Sequence, residues 1–315
     1  MQILNPEELP STLAQRGCVA TVGVFDGVHL GHRHVLNQVI RSAEAHDCAS
    51  VMVSFASHPK SLLLGNAPAT ITSLEHRLRL FEDCGIDATL VLEFNEELRQ
   101  LTAAEFVQRF LIDGLGLKEL VFGFDSKFGR DRGGNPQSLL PMSKELGFDI
   151  KEIEPLRLND RAVSSTAIRE AVQLGDLKSA QAMLGRPASI LGTVVHGDKR
   201  GRQLGFPTAN LKLHHELSPP QGVYACMVKI NGNEQLVAGA VNLGLRPSFD
   251  SNAHSIEVHL IDFDGDLYNQ CLEVFFLERL RPEQKFANVD ELRRQIAIDV
   301  NAANLICKQF ISGKS

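Results

Sequence analysis

Two histidines separated by Leu-Gly, in Gly23-Val24-Phe25-Asp26-Gly27-Val28-His29-Leu30-Gly31-His32, form the stretch of this 315-residue chain best suited to chemistry. An apolar run, Cys18 to Val24, precedes them, and Val35, Leu36, Val39, Ile40 and Ala43 follow at helical spacing. The order strand, glycine-rich turn, helix points two imidazoles and several backbone N–H groups at one spot, the positive end of a helix. Such a spot suits a polyphosphate and predicts an enzyme that handles nucleotide phosphates. A metal site is the weaker reading of clustered His29, His32 and His34, since no cysteine or carboxylate stands at ligand spacing.

Three further segments offer partners for a phosphate. Val163-Ser164-Ser165-Thr166-Ala167-Ile168-Arg169 sets three hydroxyls before a helix-forming run, as N-cap material. Arg169 is expected in the first turn of that helix, where a cation opposes the dipole unless it shares a bound anion with the N–H groups. Gly123-Phe124-Asp125-Ser126-Lys127-Phe128-Gly129-Arg130 follows a strand and mixes glycines with basic residues. Phe55-Ala56-Ser57-His58-Pro59 adds a histidine after the second strand.

A second cluster lies far downstream. Gly192 to Leu211 (GTVVHGDKRGRQLGFPTANL) sets Gly197, Gly201 and Gly205 among Lys199, Arg200 and Arg202. Backbone amides and cations in such a loop can cradle phosphate. It ends in Pro207-Thr208-Ala209-Asn210, where Thr and Asn oxygens two residues apart can face one ligand on an extended segment. Hard oxygens beside phosphate suit Mg2+. The loop lacks the Gly-x4-Gly-Lys-Ser/Thr of a Walker A motif.

These clusters need two kinds of scaffold, and the length predicts two domains. The first half alternates strand and helix: strands at Cys18–Val24, Ser50–Phe55, Ala88–Phe94 and Glu119–Phe124, with helices at Leu74–Phe81 and Ala103–Ile112. That rhythm implies a parallel sheet covered by helices, with ligands at the carboxyl ends of its strands. The pattern changes at Gly185-Arg186-Pro187, giving expected domains 1–185 and 186–315. From Ala188 to about Leu280 short strands and turns, without a helix, indicate an antiparallel barrel or sandwich. Val223–Ile230 and Gln235–Ala240 read as a hairpin about Asn231-Gly232, and Ile256–Ile261 with Cys271–Phe276 as another pair. A closing helix starts at Asn288, with Leu292, Ile296, Val300, Ala303, Ile306 and Phe310 as its buried stripe.

Hydrophobic content of 43% and charge of 22% fit a globular protein, and a net charge of −6 argues against bulk nucleic-acid binding. There is no apolar run long enough for a membrane span, and the first residues do not read as a secretory signal. Six scattered cysteines without Cys-x-x-Cys read as buried thiols of a cytoplasmic protein.

His-x-Gly-His resembles the nucleotidyltransferase superfamily. Phe25 to His32, Phe55 with His58-Pro59, Asp125 with Phe128-Gly129, and Ser164 to Arg169 are more closely similar to the bacterial bifunctional riboflavin kinase/FMN adenylyltransferase family. The Gly192–Leu211 segment, Gly222-Val223-Tyr224-Ala225, Asn242 to Phe249, Glu257-Val258-His259 and Asp266-Leu267-Tyr268 resemble its kinase module. The pattern departs at Ala56-Ser57, Ser126, Ser248 and Asn269. The resemblance implies a Rossmann-like nucleotidyltransferase domain, then an antiparallel β-barrel closed by a helix. It implies that the barrel makes FMN from riboflavin and ATP, and that the first domain makes FAD and pyrophosphate from FMN and ATP. Catalysis falls to His29, His32 and Arg169 in the first domain, with Glu257 as general base in the second. Gly23, Phe25, Asp26, Gly31, Ser164, Ser165, Thr166, Gly197, Lys199, Arg202 and Gly205 are implied to bind ATP or phosphate. His58, Pro59, Asp125, Phe128, Arg246 and Tyr268 are implied to bind flavin, and Thr208 and Asn210 to hold Mg2+. Partners are then the small molecules riboflavin, FMN, FAD and ATP, without nucleic acid or membrane, and with weak self-association. Two rivals are a nucleotidyltransferase acting on another substrate and a non-catalytic flavin- or nucleotide-binding regulator. The kinase module speaks against the first, and the retained polar residues against the second.

Overall fold

A computed structural model describes residues 1–57, 69–158, 161–197, 200–214, 217–231, 233–245 and 254–313. It has two compact units, Met1–Ser165 and Thr166–Ser315.

The first unit is built on a six-stranded parallel sheet: β1 (Gln2–Leu4), β2 (Cys18–Val22), β3 (Ala49–Phe55), β4 (Ala88–Leu92), β5 (Leu117–Phe122) and β6 (Asp149–Glu152), in the order β1-β4-β3-β2-β5-β6. Every residue of β2 and β3 is buried, because each strand feeds a core on both faces. Ala20, Val22, Val51 and Val53 enter one core, while Val19 and Met52 enter the other with Leu36 and Phe81. The helices of this unit are α1 (Leu30–Ala45), α2 (Leu74–Asp83), α3 (Glu96–Gln100), α4 (Ala103–Phe106) and α5 (Pro136–Leu146). The helix expected at Ala103–Ile112 starts as α4 but continues as a π-helical turn, Val107–Ile112. Strands β2 and β5 each stop two residues before the apolar run does, and Gly23-Val24 and Gly123-Phe124 go into the loops that follow. A small hairpin, β7 (Arg157–Leu158) with β8 (Arg161–Ala162), comes before Ser165.

The second unit opens with α6, whose helix runs Ser165–Leu174, and α7 (Leu177–Leu184). A closed six-stranded antiparallel barrel follows: β9 (Ser189–Val195), β10 (Ala209–Leu213), β11 (Gly222–Ile230), β12 (Leu236–Leu245), β13 (His254–Leu260) and β14 (Cys271–Arg281), in the order β10-β13-β12-β11-β14-β9. Tyr224, Cys226 and Val228, Ile256, Val258 and Leu260, and Leu272, Val274 and Phe276 alternate into its core, with Leu177 of α7 joining them. One short helical turn, α8 (Arg200–Gln203), precedes β10, and the closing helix α9 spans Val289–Ser312. Asn288 caps α9 by accepting from the Glu291 N–H, and Ala303, Val300 and Ile306 pack on Ala225 and Ala240.

Three expectations are corrected here. The segments near 256–261 and 271–276 are both strands but do not pair: β13 lies between β10 and β12, and β14 between β11 and β9. A closed barrel leaves no edge, so a strand's partners follow from closure and not from chain order. The hairpin of β11 and β12 turns over residues 231–235, longer than a two-residue Asn-Gly turn. The stretch from 188 to 280 also contains a helix, α8, in the glycine-rich loop.

Candidate functional sites

The turn after β2 is shaped by side chains that leave no room for alternatives. A Cβ on Gly23 would lie 2.8 Å from the Phe25 ring, and Phe25, Gly27 and Val28 all take positive φ (49°, 82° and 39°). Asp26, 3% exposed, anchors this bend. Its carboxylate accepts from the Ile71 N–H (2.9 Å), the Thr72 N–H (3.0 Å) and the Thr72 hydroxyl (3.2 Å), and Ser165 Oγ donates to its backbone carbonyl (3.0 Å). The Asp26 carboxylate therefore ties the turn to a segment 45 residues on, and what it offers a nucleotide is the shape it holds.

His29 is the N-cap of α1, and its Nδ1 accepts the His32 N–H at 3.2 Å. In the neutral ring the proton must then sit on Nε2. The His29 and His32 rings stack at 3.6 Å, and Phe25 stacks on the other side of His32 at 4.4 Å. Gly31 permits this: a Cβ there would stand 3.1 Å from the His29 ring. Burial, and then the neighbouring His29, hold the His32 pKa well below the usual histidine range. His32 Nδ1 is buried and has no hydrogen-bond partner among the described residues. The result is a pair of stacked imidazoles at a helix N-terminus, with a His32 ring nitrogen still to be satisfied. That pair suits an anionic oxygen.

The other expected residues of this half are less uniform. Phe128 is 8% exposed, and its ring packs on Phe122 and Phe106 in the core. It supports the Gly129 loop from beneath. Asp125 is exposed and pairs with Lys127 (3.3 Å). Phe124, in the same loop segment, shows 61% of its surface just beyond the end of β5. Ser164 and Ser165 stand at the start of α6, while Thr166 and Arg169 belong to the second unit. Arg169 is the fifth residue of α6, not a first-turn residue as expected, because Ser165 already has helical geometry. His58 and Pro59 lie outside the described residues.

In the barrel, strand register builds the site. Ala209 and Leu211 face the core, and so do Ile256 and Val258, which turns Asn210 and Glu257 to the outer face. The two are direct cross-strand partners. Thr208 Oγ1 donates to one Glu257 oxygen (3.3 Å), and Ser255 Oγ donates to the other (3.4 Å). Ser255 went unnoticed in the sequence, although its two-residue offset from Glu257 on a strand puts both on one face. Gly197 lies so close to Asn210 that a Cβ would overlap its amide, and a Cβ on Gly201 would come to 3.0 Å from Thr208 Oγ1. Gly205 holds φ 87° at the end of the loop, and Arg202 is exposed on α8. His259 Nδ1 bonds the Pro207 carbonyl at 2.8 Å. The Tyr268 ring, 38% exposed, lies 4.0 Å from that of His196. Lys199 and Arg246 lie outside the described residues. Among the described residues no three His, Cys, Asp or Glu side chains are grouped to hold a metal. The neighbouring hydroxyl, amide and carboxylate oxygens of Thr208, Asn210 and Glu257 are instead the hard donors that suit a cation shared with phosphate.

Comparison with known proteins also divides the chain into two parts. A family model for FAD synthetase matches residues 11–167, and one for riboflavin kinase matches residues 184–307. The bifunctional riboflavin kinase/FMN adenylyltransferase of Haemophilus influenzae is 39% identical over 289 residues, covering 91% of this chain and 94% of that one. The protein of that name from Pseudomonas fluorescens is 41% identical over 293 residues, covering 92% and 93%. A crystal structure described as a macrolide-efflux protein from Streptococcus pneumoniae superposes with a TM-score of 0.82 at 29% identity, covering 96% of this chain and 99% of that one. Among the described residues of the present chain, no helix is long and apolar enough to cross a membrane.

Proposed function

We propose that this chain, which belongs to the bifunctional riboflavin kinase/FMN adenylyltransferase family, runs its two reactions at the two sites described, with the functional modules meeting at residues 185 and 186. Riboflavin is phosphorylated to FMN with ATP by the C-terminal module, and FMN is adenylylated with ATP to FAD and pyrophosphate by the N-terminal module. The observation that carries the assignment is the meeting of Thr208, Asn210 and Glu257 on one barrel face, separate from the stacked His29 and His32.

For FMN formation, Glu257 takes the proton of the flavin 5′-hydroxyl as its oxygen attacks the γ-phosphorus of ATP, the bond from that phosphorus to the β,γ-bridging oxygen breaks and ADP leaves. Ser255 and Thr208 hold that carboxylate at both oxygens. Thr208 and Asn210 would hold Mg2+, which when bound neutralises charge on the phosphates. Gly197, Lys199, Arg202 and Gly205 are assigned to the phosphates, and Tyr268 and Arg246 to the flavin.

For FAD formation, an FMN phosphate oxygen attacks the α-phosphorus of ATP and pyrophosphate leaves. The work is electrostatic and needs no side-chain nucleophile. His29 donates from Nε2, His32 completes its ring nitrogen's bonding on a phosphate oxygen, and the N-terminus of α1 favours the charge that develops. Gly23, Phe25, Asp26 and Gly31 maintain the shape of the turn. His58, Pro59 and Asp125 are assigned to the flavin. Both reactions are placed in the cytoplasm, where six free cysteines suit reducing surroundings.

The test is direct. Purified chain is incubated with riboflavin, ATP and Mg2+, and the flavins are separated by chromatography. Glu257→Gln should stop at riboflavin yet still convert supplied FMN to FAD, and His29→Ala should accumulate FMN. Either substitution stopping both steps in folded protein refutes the two-site reading.

A further inference from the structure

Arg77 belongs to neither set of residues above. It sits on the face of α2 that also buries Leu80 and Phe81, and it is 2% exposed. Its Nη1 donates to the Val24 carbonyl (2.8 Å) and Ser54 Oγ (3.3 Å), and its Nη2 donates to the Phe55 carbonyl (3.0 Å). Every acceptor is neutral, and Nε has no partner. Among the described residues no carboxylate lies within ion-pair distance of it. Residues 58–68, HPKSLLLGNAP, contain no carboxylate to add.

Such an arrangement is costly. A guanidinium stays charged, and a buried charge without a contacting counter-charge is among the least favourable groups a core can hold. Burial pushes the Arg77 pKa down, and the field of Asp26 opposes this, although the Asp26 oxygens are already engaged by Ile71 and Thr72. Two carbonyls and a hydroxyl could be bridged by a neutral donor at less cost. The location shows what the charge adds. Val24 follows the end of β2 and Phe55 ends β3, so the guanidinium spans the carboxyl ends of two adjacent central strands. Val24 is also part of the turn that leads to His29 and His32, where burial and the neighbouring His29 push the His32 pKa down. His32 therefore adds little positive charge to the turn at neutral pH, whereas Arg77 is a charge fixed beneath it.

We propose that Arg77 is a positioning residue for adenylyl transfer: it holds the ends of β2 and β3 and supplies the histidine turn with a fixed positive potential that a triphosphate completes. The inference rests on the assignment of FAD formation to that turn. Its field acts through strand ends already bonded to it, so it contributes without touching the nucleotide.

The experiment uses the full-length chain with Arg77→Lys, Arg77→Gln and Arg77→Met, and His32→Ala as reference. FMN adenylylation is measured over a range of ATP concentrations. Riboflavin phosphorylation in the same sample reports the integrity of the other module. Arg77→Lys, which keeps the charge but loses the forked geometry, should lower kcat by about tenfold with KM for ATP within about threefold. Arg77→Gln and Arg77→Met should also raise KM for ATP by about tenfold or more. A purely structural brace predicts the reverse pattern, with Gln as good as Lys and KM unmoved, and that outcome overturns the proposal. Should Arg77→Met fail to fold, the Lys and Gln pair decides alone. If His32→Ala leaves FAD formation intact, the site assignment falls and this proposal with it. If His32→Ala abolishes it while the Arg77 variants match the parent, only this proposal falls.

Discussion

The turn after β2 holds its imidazoles 3.6 Å apart by stacking them between Phe25 and the start of α1, with glycines at 23, 27 and 31 to make space. The barrel site has no such packing. Asn210 and Glu257 are neighbours because β10 and β13 are in register, and hydroxyls at Thr208 and Ser255 fix the carboxylate. One site is made by fitting shapes and the other by counting residues along strands. The first should therefore fail when volume is added or removed, and the second when a donor or acceptor is exchanged at constant volume.

Substitutions can break this contrast, beginning with the largest effect. Glu257→Gln preserves volume and should cut riboflavin phosphorylation by about 10²–10⁴-fold while sparing FAD formation from supplied FMN, as measured by flavin chromatography. His32→Ala empties the middle of the ring stack and should slow FAD formation by roughly a hundredfold or more, the scale of one lost transition-state donor. If His32→Asn, a smaller polar ring substitute, proved as active as the parent, the shape argument would be wrong. Away from both sites, Asp299→Ala removes the partner of Arg281, whose pair is 2.9 Å long with side chains 7% and 16% exposed. This should destabilise the barrel unit by about 3 kcal/mol in denaturant melts, because a buried guanidinium is left uncompensated. Gly197→Ala would press on the Asn210 amide and should raise the KM for ATP of the kinase step by about tenfold. That result would show the register-built site sensitive to shape at one point.

The smallest effect is one of pH. The folded-state pKa of His32 is depressed by burial and by His29, so the folded protein resists a proton that the unfolded chain accepts. This contribution to stability is complete above the unfolded histidine value of about 6.5 and is lost progressively as pH falls below it. Thermal melts of the N-terminal unit should drop more steeply below that pH than those of His32→Asn.

Much of this was readable along the chain. The histidine turn, the Pro-Thr-Ala-Asn segment and the change from helix-strand alternation to short strands are local signals, and the parallel sheet and antiparallel barrel they imply are both present. What the sequence concealed depends on distant partners. Asp26 could be named but not its engagement with Ile71 and Thr72, which lie 45 and 46 residues away. Arg77 gave only a faint sign, a cation at a helix position spaced three and four residues before the buried Leu80 and Phe81. Asp299 likewise interrupts the apolar stripe of α9, and only its pairing with Arg281 explains its burial. Phe128 shows the opposite error: a residue in a loop motif was expected at the ligand, yet its ring is needed by the core. The pairing of β13 and β14 with other strands was hidden because barrel closure is a global condition.

Asp26 has one more implication, for the order of assembly. Its side chain waits for residues 71 and 72, and its carbonyl for a serine 139 positions further along. The pairings of β1 with β4 and of β2 with β5 also join distant segments, but the bond from Ser165 spans 139 positions, and closing so long a loop is slow. A nascent chain would thus hold a nearly finished sheet whose Asp26 bend is still unfastened at its carbonyl. The histidine turn would gain this last fastening only when Ser165 arrives.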